Sequence, residues 1–216
     1  MLSNGRRALA FLAGGLLAAL VLVGLIIGAD WVESIDAAVS NRFGDHRSHH
    51  TTVVSDAIFG FIGDPAGVAI AATLFGGLLS LRARSMIPIG LVVGGVGTAV
   101  VVEHTLKALL GRTVRPDAPA QWSVIAEYAH SYPSGHVAGS AALLGTIAVI
   151  SSVGRAQSTK ATLAVLVVLC VLAVAVMALY VHAHLVSDVI GGMLLGGAVV
   201  TTSAVVATGR ARLLRR

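Results

Sequence analysis

The chain has 216 residues, of which 56% are hydrophobic and only 12% are charged, and its mean hydropathy is +0.89. This composition excludes an ordinary soluble globular domain and is typical of a polytopic membrane protein. The net charge of +5 does not indicate a nucleic-acid partner, because the basic residues stand in short clusters between apolar runs, without a basic face or a set of stacking aromatic residues. The single cysteine, Cys170, excludes an intrachain disulfide and a cysteine-based metal site.

Six apolar segments have lengths suited to crossing about 30 Å of hydrocarbon as helices. They are Ala8–Ala29, Ala66–Leu81, Ile87–Val102, Val137–Val153, Ala161–Val181 and Val189–Ala207. The first follows Arg6 and Arg7 as a signal peptide would, but it is longer than a signal core and is predicted to be a membrane helix. Since no internal repeat or low-complexity linker interrupts the chain, the sequence predicts one all-α transmembrane domain over residues 1–216.

The basic residues predict the orientation of this domain. If the spans alternate, ten basic residues fall on one side, which the positive-inside rule assigns to the cytoplasm. They are Arg6, Arg7, Arg82, Arg84, Arg155, Lys160, Arg210, Arg212, Arg215 and Arg216. The acidic residues, among them Asp30, Glu103 and Asp188, then fall outside or near the outer boundary. Both termini are therefore predicted to be cytoplasmic.

The first outer loop contains two stretches with apolar residues at helical spacing. Trp31, Ile35, Val39 and Phe43 form one pattern, and a second begins at Val53. Both predict short interfacial helices. The histidines between them, in the stretch 45–50, could bind a metal, but clustered histidines in an exposed loop are more often only solvated, and no metal site is assigned.

Residues Tyr132-Pro133-Ser134-Gly135-His136 stand at the start of an apolar segment and have the properties of an anion site. Pro133 suits a helix start, Ser134 can cap free backbone amides, and Gly135 permits close backbone approach. The helix N-terminus itself favours a phosphate-like group, and His136 adds a titratable proton donor. Taken alone, the five residues could also be an ordinary helix cap.

Two further polar clusters lie at the outer ends of the spans. Lys107 is followed by Arg112 and Arg115, and these cations can neutralise a phosphate. His184 and Asp188 are four residues apart, so the carboxylate can accept a hydrogen bond from one ring nitrogen while the other nitrogen attacks. A metal pair or a structural hydrogen bond is the alternative, but no further ligand set with convincing spacing accompanies the two residues.

These clusters resemble the motifs of the type 2 phosphatidic acid phosphatase family, which includes lipid phosphate phosphatases, bacterial polyprenyl-diphosphate phosphatases and, more distantly, vanadium haloperoxidases. The second motif is present as Pro133-Ser134-Gly135-His136, and the histidine and aspartate of the third match His184 and Asp188. The resemblance implies metal-independent hydrolysis without a cofactor, with His184 as the nucleophile that forms a phosphohistidine, Asp188 orienting it and His136 as general acid. The phosphate would be held by Lys107, Arg115, Ser134 and Gly135.

The chain departs from the family pattern at two places. Six residues usually separate the lysine of the first motif from its Arg-Pro pair, whereas seven separate Lys107 from Arg115, so either Arg112 or Arg115 is the working arginine. The third motif usually opens with Ser-Arg, and here Met177 and Ala178 occupy those positions. We expect Arg112 to replace the missing cation.

The predicted function is hydrolysis of a phosphomonoester or diphosphate of a lipid, such as phosphatidate, phosphatidylglycerol phosphate or a polyprenyl phosphate or diphosphate. The active site is predicted at the outer face of the cytoplasmic membrane. One alternative is a lipid-linked phosphotransferase, and another is a weakened family member that binds phosphorylated lipids without efficient turnover. A transporter is disfavoured, because the polar residues gather at one membrane face and not near the midplane. The expected partners are a phosphorylated lipid and the bilayer, with no nucleic acid.

Overall fold

The computed structural model describes residues 3–45, 53–55, 57–60, 65–110 and 130–210. Seven long helices occur in this part of the chain: α1 (Asn4–Ile26), α2 (Asp30–Gly44), α3 (Pro65–Ala83), α4 (Ile87–Leu109), α5 (Gly135–Ser152), α6 (Gln157–Tyr180) and α7 (Val186–Gly209). Residues 53–55 and 57–60 are also helical, and no described residue is in a strand. The all-α fold predicted from the sequence is confirmed.

Six of these helices, all except α2, are long and apolar enough to cross a membrane, as the six apolar segments predict. The largest difference in length is in α4, which continues to Leu109, whereas the apolar run ends at Val102. The added turns contain Glu103 and Lys107, whose side chains form an ion pair four residues apart. Pairs at this spacing favour a helix, so the polar turns remain helical where a hydropathy boundary ends.

Helix α2 is amphipathic, but its polar side faces the protein. Glu33, Asp36 and Ser40 are buried, whereas Trp31 and Ile35 are 59% and 48% exposed. An amphipathic helix at a membrane surface places its apolar side toward the lipid. The acidic side of α2 therefore faces the helix bundle and can contact it. The histidines of the stretch 46–50 lie outside the described residues.

The helix pair α5 and α7 forms the centre of the bundle, and the starts of the two helices meet without space for a side chain. A Cβ on Gly192 would lie 2.6 Å from the carbonyl oxygen of Ser134 and 2.9 Å from Cβ of Val137. A Cβ on Gly191 would overlap the ring of Tyr132. Both members of the pair Gly191-Gly192 are thus in close contact with the segment before α5 or its first turn, as small residues at membrane helix contacts often are.

Contacts between helix ends show which parts of the chain share each end of the bundle. Glu103 of α4 lies against Gly135 at the start of α5, and Ser134 lies against Gly192 near the start of α7. At the opposite end, Arg6 of α1 lies against Gly209, the last residue of α7. The three polar clusters therefore share one end of the bundle, and the start of α1 and the end of α7 share the other.

We expect Gly192→Ala to lower the apparent thermal unfolding temperature of the detergent-solubilised protein, because the added methyl group would collide with a carbonyl oxygen and overpacking of this kind costs about 1–3 kcal/mol. Gly94→Ala is the matched control, since no atom lies within 4 Å of a Cβ at Gly94. Circular dichroism during heating measures both variants. Equal shifts for the two would contradict the role given to the contact at Gly192.

Candidate active site

The start of α5 has two backbone N–H groups available for an anion. Ser134 is the N-cap residue, its Oγ accepts the N–H of Val137 at 3.4 Å, and its carbonyl oxygen accepts the N–H of Ala138 at 3.0 Å. The N–H groups of Gly135 and His136 have no intrahelical acceptor, as is usual in a first turn, and no acceptor among the described residues. The sequence prediction of a capped helix start with unoccupied amides agrees with this geometry.

The segment before α5 is fixed to two other helices. Tyr132 is fully buried, and its hydroxyl donates a hydrogen bond to the carbonyl oxygen of Leu20 in α1 at 2.6 Å. The N–H of Ser134 donates to the carbonyl oxygen of Asp188 in α7 at 2.9 Å. The second of these bonds holds the first turn of α5 beside the first turn of α7, which brings the second and third sequence clusters together, and the first attaches the same segment to α1.

The His184–Asp188 pair is formed by a helix cap. His184 lies one residue before Leu185, the N-cap residue of α7, and Asp188 occupies the third helical position. The carboxylate of Asp188 turns back, and its Oδ2 accepts the N–H of Leu185 at 2.9 Å. This places Oδ2 3.6 Å from Nδ1 of His184. The spacing of four residues predicts that both side chains lie on one face of a helix. In the structure, His184 stands before the helix, and the two side chains meet because the Asp188 carboxylate turns back over the N-terminus of α7.

Ser131 is a further residue of the pair that the sequence analysis did not identify. Its hydroxyl donates to Oδ2 of Asp188 at 2.6 Å, so this one oxygen accepts two hydrogen bonds and faces His184. Asp188 is fully buried, and His184 is only 8% exposed. A carboxylate fixed in this way can orient an imidazole through Nδ1, which leaves Nε2 as the nitrogen for attack.

His136 lies beside His184. The ring centroids of the two histidines are 6.1 Å apart, with their planes inclined by 63°. On its other side, the His136 ring stacks on Phe59 with a centroid distance of 4.1 Å and an interplanar angle of 16°. Phe59 comes from the short helical stretch 57–60. Its stacking fixes the plane of the His136 ring, which no neighbour in the sequence would orient.

Lys107 brings positive charge to the same end of the bundle. Its ammonium group pairs with Glu103, a buried carboxylate that also lies 2.5 Å from Nδ1 of His104. A Cβ on Gly135 would be 2.9 Å from Oε1 of Glu103, so the ion pair adjoins the unoccupied amides of α5. Lys107 is close enough to His136 for the two to interact electrostatically.

The structure thus brings together six of the eight residues predicted for the site: Lys107, Ser134, Gly135, His136, His184 and Asp188. Arg112 and Arg115 lie outside the described residues. Ala178, which stands where the family has an arginine, is fully buried, and its carbonyl oxygen accepts the N–H groups of Ala183 and His184 at 3.0 and 3.3 Å.

Comparison with known proteins identifies the family of the chain. The model of the PAP2 superfamily matches residues 88–212, a range that contains all the predicted site residues. No curated protein matches the chain. The fold is similar to that of a solved structure described as the first transmembrane PAP2 type phosphatidylglycerolphosphate phosphatase from Bacillus subtilis, with a TM-score of 0.75, 20% sequence identity, and coverage of 92% of this chain and 96% of that chain. Because the family match spans more than half of the sequence, the chain belongs to the PAP2 superfamily.

Proposed function

We propose that the protein is an integral-membrane lipid phosphatase that hydrolyses a phosphomonoester or diphosphate of a lipid through a phosphohistidine at His184. Family membership supports phosphatase activity. The observation that carries the finer proposal is the Oδ2 atom of Asp188, which is fixed by two hydrogen bonds and lies 3.6 Å from Nδ1 of His184. The His136 ring is adjacent, so a nucleophile and a proton donor can reach one phosphoryl group.

The proposed reaction has two displacements at phosphorus. Nε2 of His184 attacks the phosphorus as the bond to the lipid oxygen breaks, and His136 gives a proton to that departing oxygen. A water molecule then attacks the phosphohistidine and gives a proton to His136, while the P–N bond breaks and phosphate is released. Asp188 remains ionised and stabilises the positively charged imidazole of His184.

The charge of the phosphate is met by groups at the ends of α4 and α5. The N–H groups of Gly135 and His136 and the hydroxyl proton of Ser134 can donate to phosphate oxygens. Lys107 supplies a cation once its ammonium group turns from Glu103 toward the substrate. Arg115 and Arg112 are proposed as guanidinium contacts, because a planar guanidinium can bind two phosphate oxygens together.

The location of the site limits the substrate. The predicted orientation places the site at the outer face of the cytoplasmic membrane, where a lipid can offer its head group while its chains remain in the bilayer. The solved structure with the same fold is described as a phosphatidylglycerolphosphate phosphatase, so phosphatidylglycerol phosphate is the first substrate to test, beside phosphatidate and polyprenyl diphosphate. Release of inorganic phosphate from these lipids distinguishes hydrolysis from transfer to a lipid hydroxyl and from binding without turnover.

We expect His184→Ala to lower kcat by at least about 10³-fold, since removal of a nucleophile is among the most costly changes to an enzyme. His136→Ala should lower turnover of a phosphomonoester by about 10²–10⁴-fold, the usual contribution of general acid catalysis. The loss should be smaller for a diphosphate, whose departing phosphate needs no proton. Phosphate release from detergent-lipid micelles measures both effects.

Thr105→Ala serves as the control for these variants, because Thr105 is exposed at the same end of α4 and its hydroxyl donates to the carbonyl oxygen of Val101. Wild-type turnover by His184→Ala would contradict the phosphohistidine. Activity should also persist in excess chelator, and a strict requirement for a divalent ion would contradict the proposed charge neutralisation by Lys107 and the arginines.

We expect Arg112→Lys to lower kcat by about 10-fold or more, equivalent to about 1.4 kcal/mol in the barrier. A lysine keeps the charge but lacks the planar pair of donors, and Ala178 offers no cation in compensation. Arg155→Lys is the control, since Arg155 lies in the turn between α5 and α6 at the opposite end. If Arg112→Lys matches the wild type, Arg112 is no part of the phosphate site.

The orientation can be measured by thiol labelling in a Cys170→Ala background. A membrane-impermeant maleimide should label Ser34→Cys from outside intact cells, because Ser34 is exposed on α2 at the site end of the bundle. Arg155→Cys should be labelled only after the cells are opened. The reverse pattern would contradict the outward-facing active site.

A further inference from the structure

Asp36 of α2 is a buried carboxylate that contacts the catalytic segment without being part of it. It is 1% exposed. Its Oδ1 accepts the N–H of Ser187 at 2.9 Å, and its Oδ2 accepts the hydroxyl of Ser187 at 2.6 Å. Both carboxylate oxygens therefore accept hydrogen bonds from Ser187, which is 151 positions away in the sequence and directly precedes Asp188.

Asp36 caps one further N–H group at the start of α7. The first turn of a helix has N–H groups without an intrahelical acceptor and carries a partial positive charge. The N–H before the first helical residue, that of Leu185, donates to Asp188, and the N–H of Ser187 donates to Asp36. One carboxylate comes from the helix itself and the other from α2. The position of this turn therefore depends on an element outside the three sequence clusters.

The position of the turn decides the geometry of the proposed nucleophile. His184 and Asp188 approach each other only because the chain reverses at Leu185, and their atoms are 3.6 Å apart, slightly beyond hydrogen-bond distance. A displacement of this turn by about 1 Å would separate the pair or change its angle, and misplacements of that size can lower a rate by about 10²-fold. Ser187 links Asp36 directly to this sensitive segment.

We propose that Asp36 is a positioning residue for the reaction, and that it acts through Ser187 on the alignment of Asp188 with His184. The proposal rests on the proposed function, in which His184 is the nucleophile. A buried carboxylate loses its hydration, and this loss is offset only where its hydrogen bonds are well formed. Apolar packing would attach α2 to the bundle without that cost, but it would not fix the direction of the N–H and hydroxyl groups of Ser187.

The activity test compares Asp36→Ala, Asp36→Asn, Ser187→Ala and the double variant Asp36→Ala/Ser187→Ala on a lipid phosphate that the wild type hydrolyses. We expect Asp36→Ala to lower kcat by about 10–100-fold with KM changed less than twofold, because the phosphate contacts at α5 remain. Asp36→Asn retains an acceptor for the N–H of Ser187 and should recover part of the loss. The double variant should be no worse than Asp36→Ala, because both changes remove the same interaction.

Asp45→Ala is the matched control, because Asp45 is an exposed carboxylate at the end of the same helix. It should retain wild-type kcat and KM. The proposal is overturned if Asp36→Ala keeps wild-type kcat, if its losses add to those of Ser187→Ala, or if the loss of kcat only follows a smaller folded fraction in size-exclusion chromatography.

A second measurement does not need turnover. Diethyl pyrocarbonate modifies accessible imidazoles, and mass spectrometry of peptides reports the rate at His184, which is nearly buried in the wild type. We expect Asp36→Ala to raise this rate several-fold and Asp45→Ala to leave it unchanged. If the wild type hydrolyses no lipid phosphate, the proposed function fails on its own. An unchanged rate at His184 in Asp36→Ala overturns the positioning role whether or not the wild type is active.

Discussion

The end of the bundle that contains the candidate site depends on the contact between the segment 132–134 and the first turns of α7. One backbone hydrogen bond joins the two, from Ser134 to Asp188, and such a bond contributes about 0.5–1.5 kcal/mol net. The absence of side chains at Gly191 and Gly192 has the larger effect, since a methyl group at either position would meet the Tyr132 ring or the Ser134 carbonyl group. Overpacking of about 1–3 kcal/mol outweighs the single hydrogen bond. The two segments can therefore approach this closely only because Gly191 and Gly192 have no side chains.

The buried carboxylates show how polar groups are accommodated beside hydrocarbon. Asp188, Asp36 and Glu103 are all buried, and each carboxylate has hydrogen-bonded or charged partners. Buried charges are tolerated only with such partners, and none of these partners is supplied by the apolar cores of the helices. The carboxylates lie at helix ends and at α2, where N–H groups, hydroxyls and a lysine are available. These buried carboxylates consequently lie together at one end of the bundle.

Much of this arrangement could be predicted from the sequence. The six spans follow from apolar runs of sufficient length, and the pairing of Glu103 with Lys107 follows from helical spacing. The Ser134 cap was also predictable, because Ser-Gly-His before an apolar run has few other local structures. The predicted ends of the helices were wrong where polar turns continue an apolar helix, as at the end of α4. Hydropathy measures the preference of side chains for lipid, whereas the helix ends where its backbone bonds end.

The contacts of the site that come from distant parts of the chain could not be predicted. Ser131, Phe59 and Asp36 have no local pattern that separates them from other polar or aromatic residues near a membrane boundary. Asp36 lies in a helix whose apolar residues at helical spacing draw attention to Trp31 and Ile35, and these two side chains are exposed whereas Asp36 is buried. Only the three-dimensional position of α2 shows that its acidic side meets Ser187.

The N-termini of α5 and α7 are capped by different groups. Both α5 and α7 begin at this end of the bundle, and either N-terminus could attract a phosphate. In α7, the N–H groups of Leu185 and Ser187 already donate to the carboxylates of Asp188 and Asp36. In α5, the cap uses a neutral hydroxyl, and the first N–H groups have no acceptor among the described residues. In the proposed mechanism, the phosphate therefore binds at the N–H groups of α5, which adjoin the ion pair of Glu103 and Lys107, and His184 at the start of α7 attacks it.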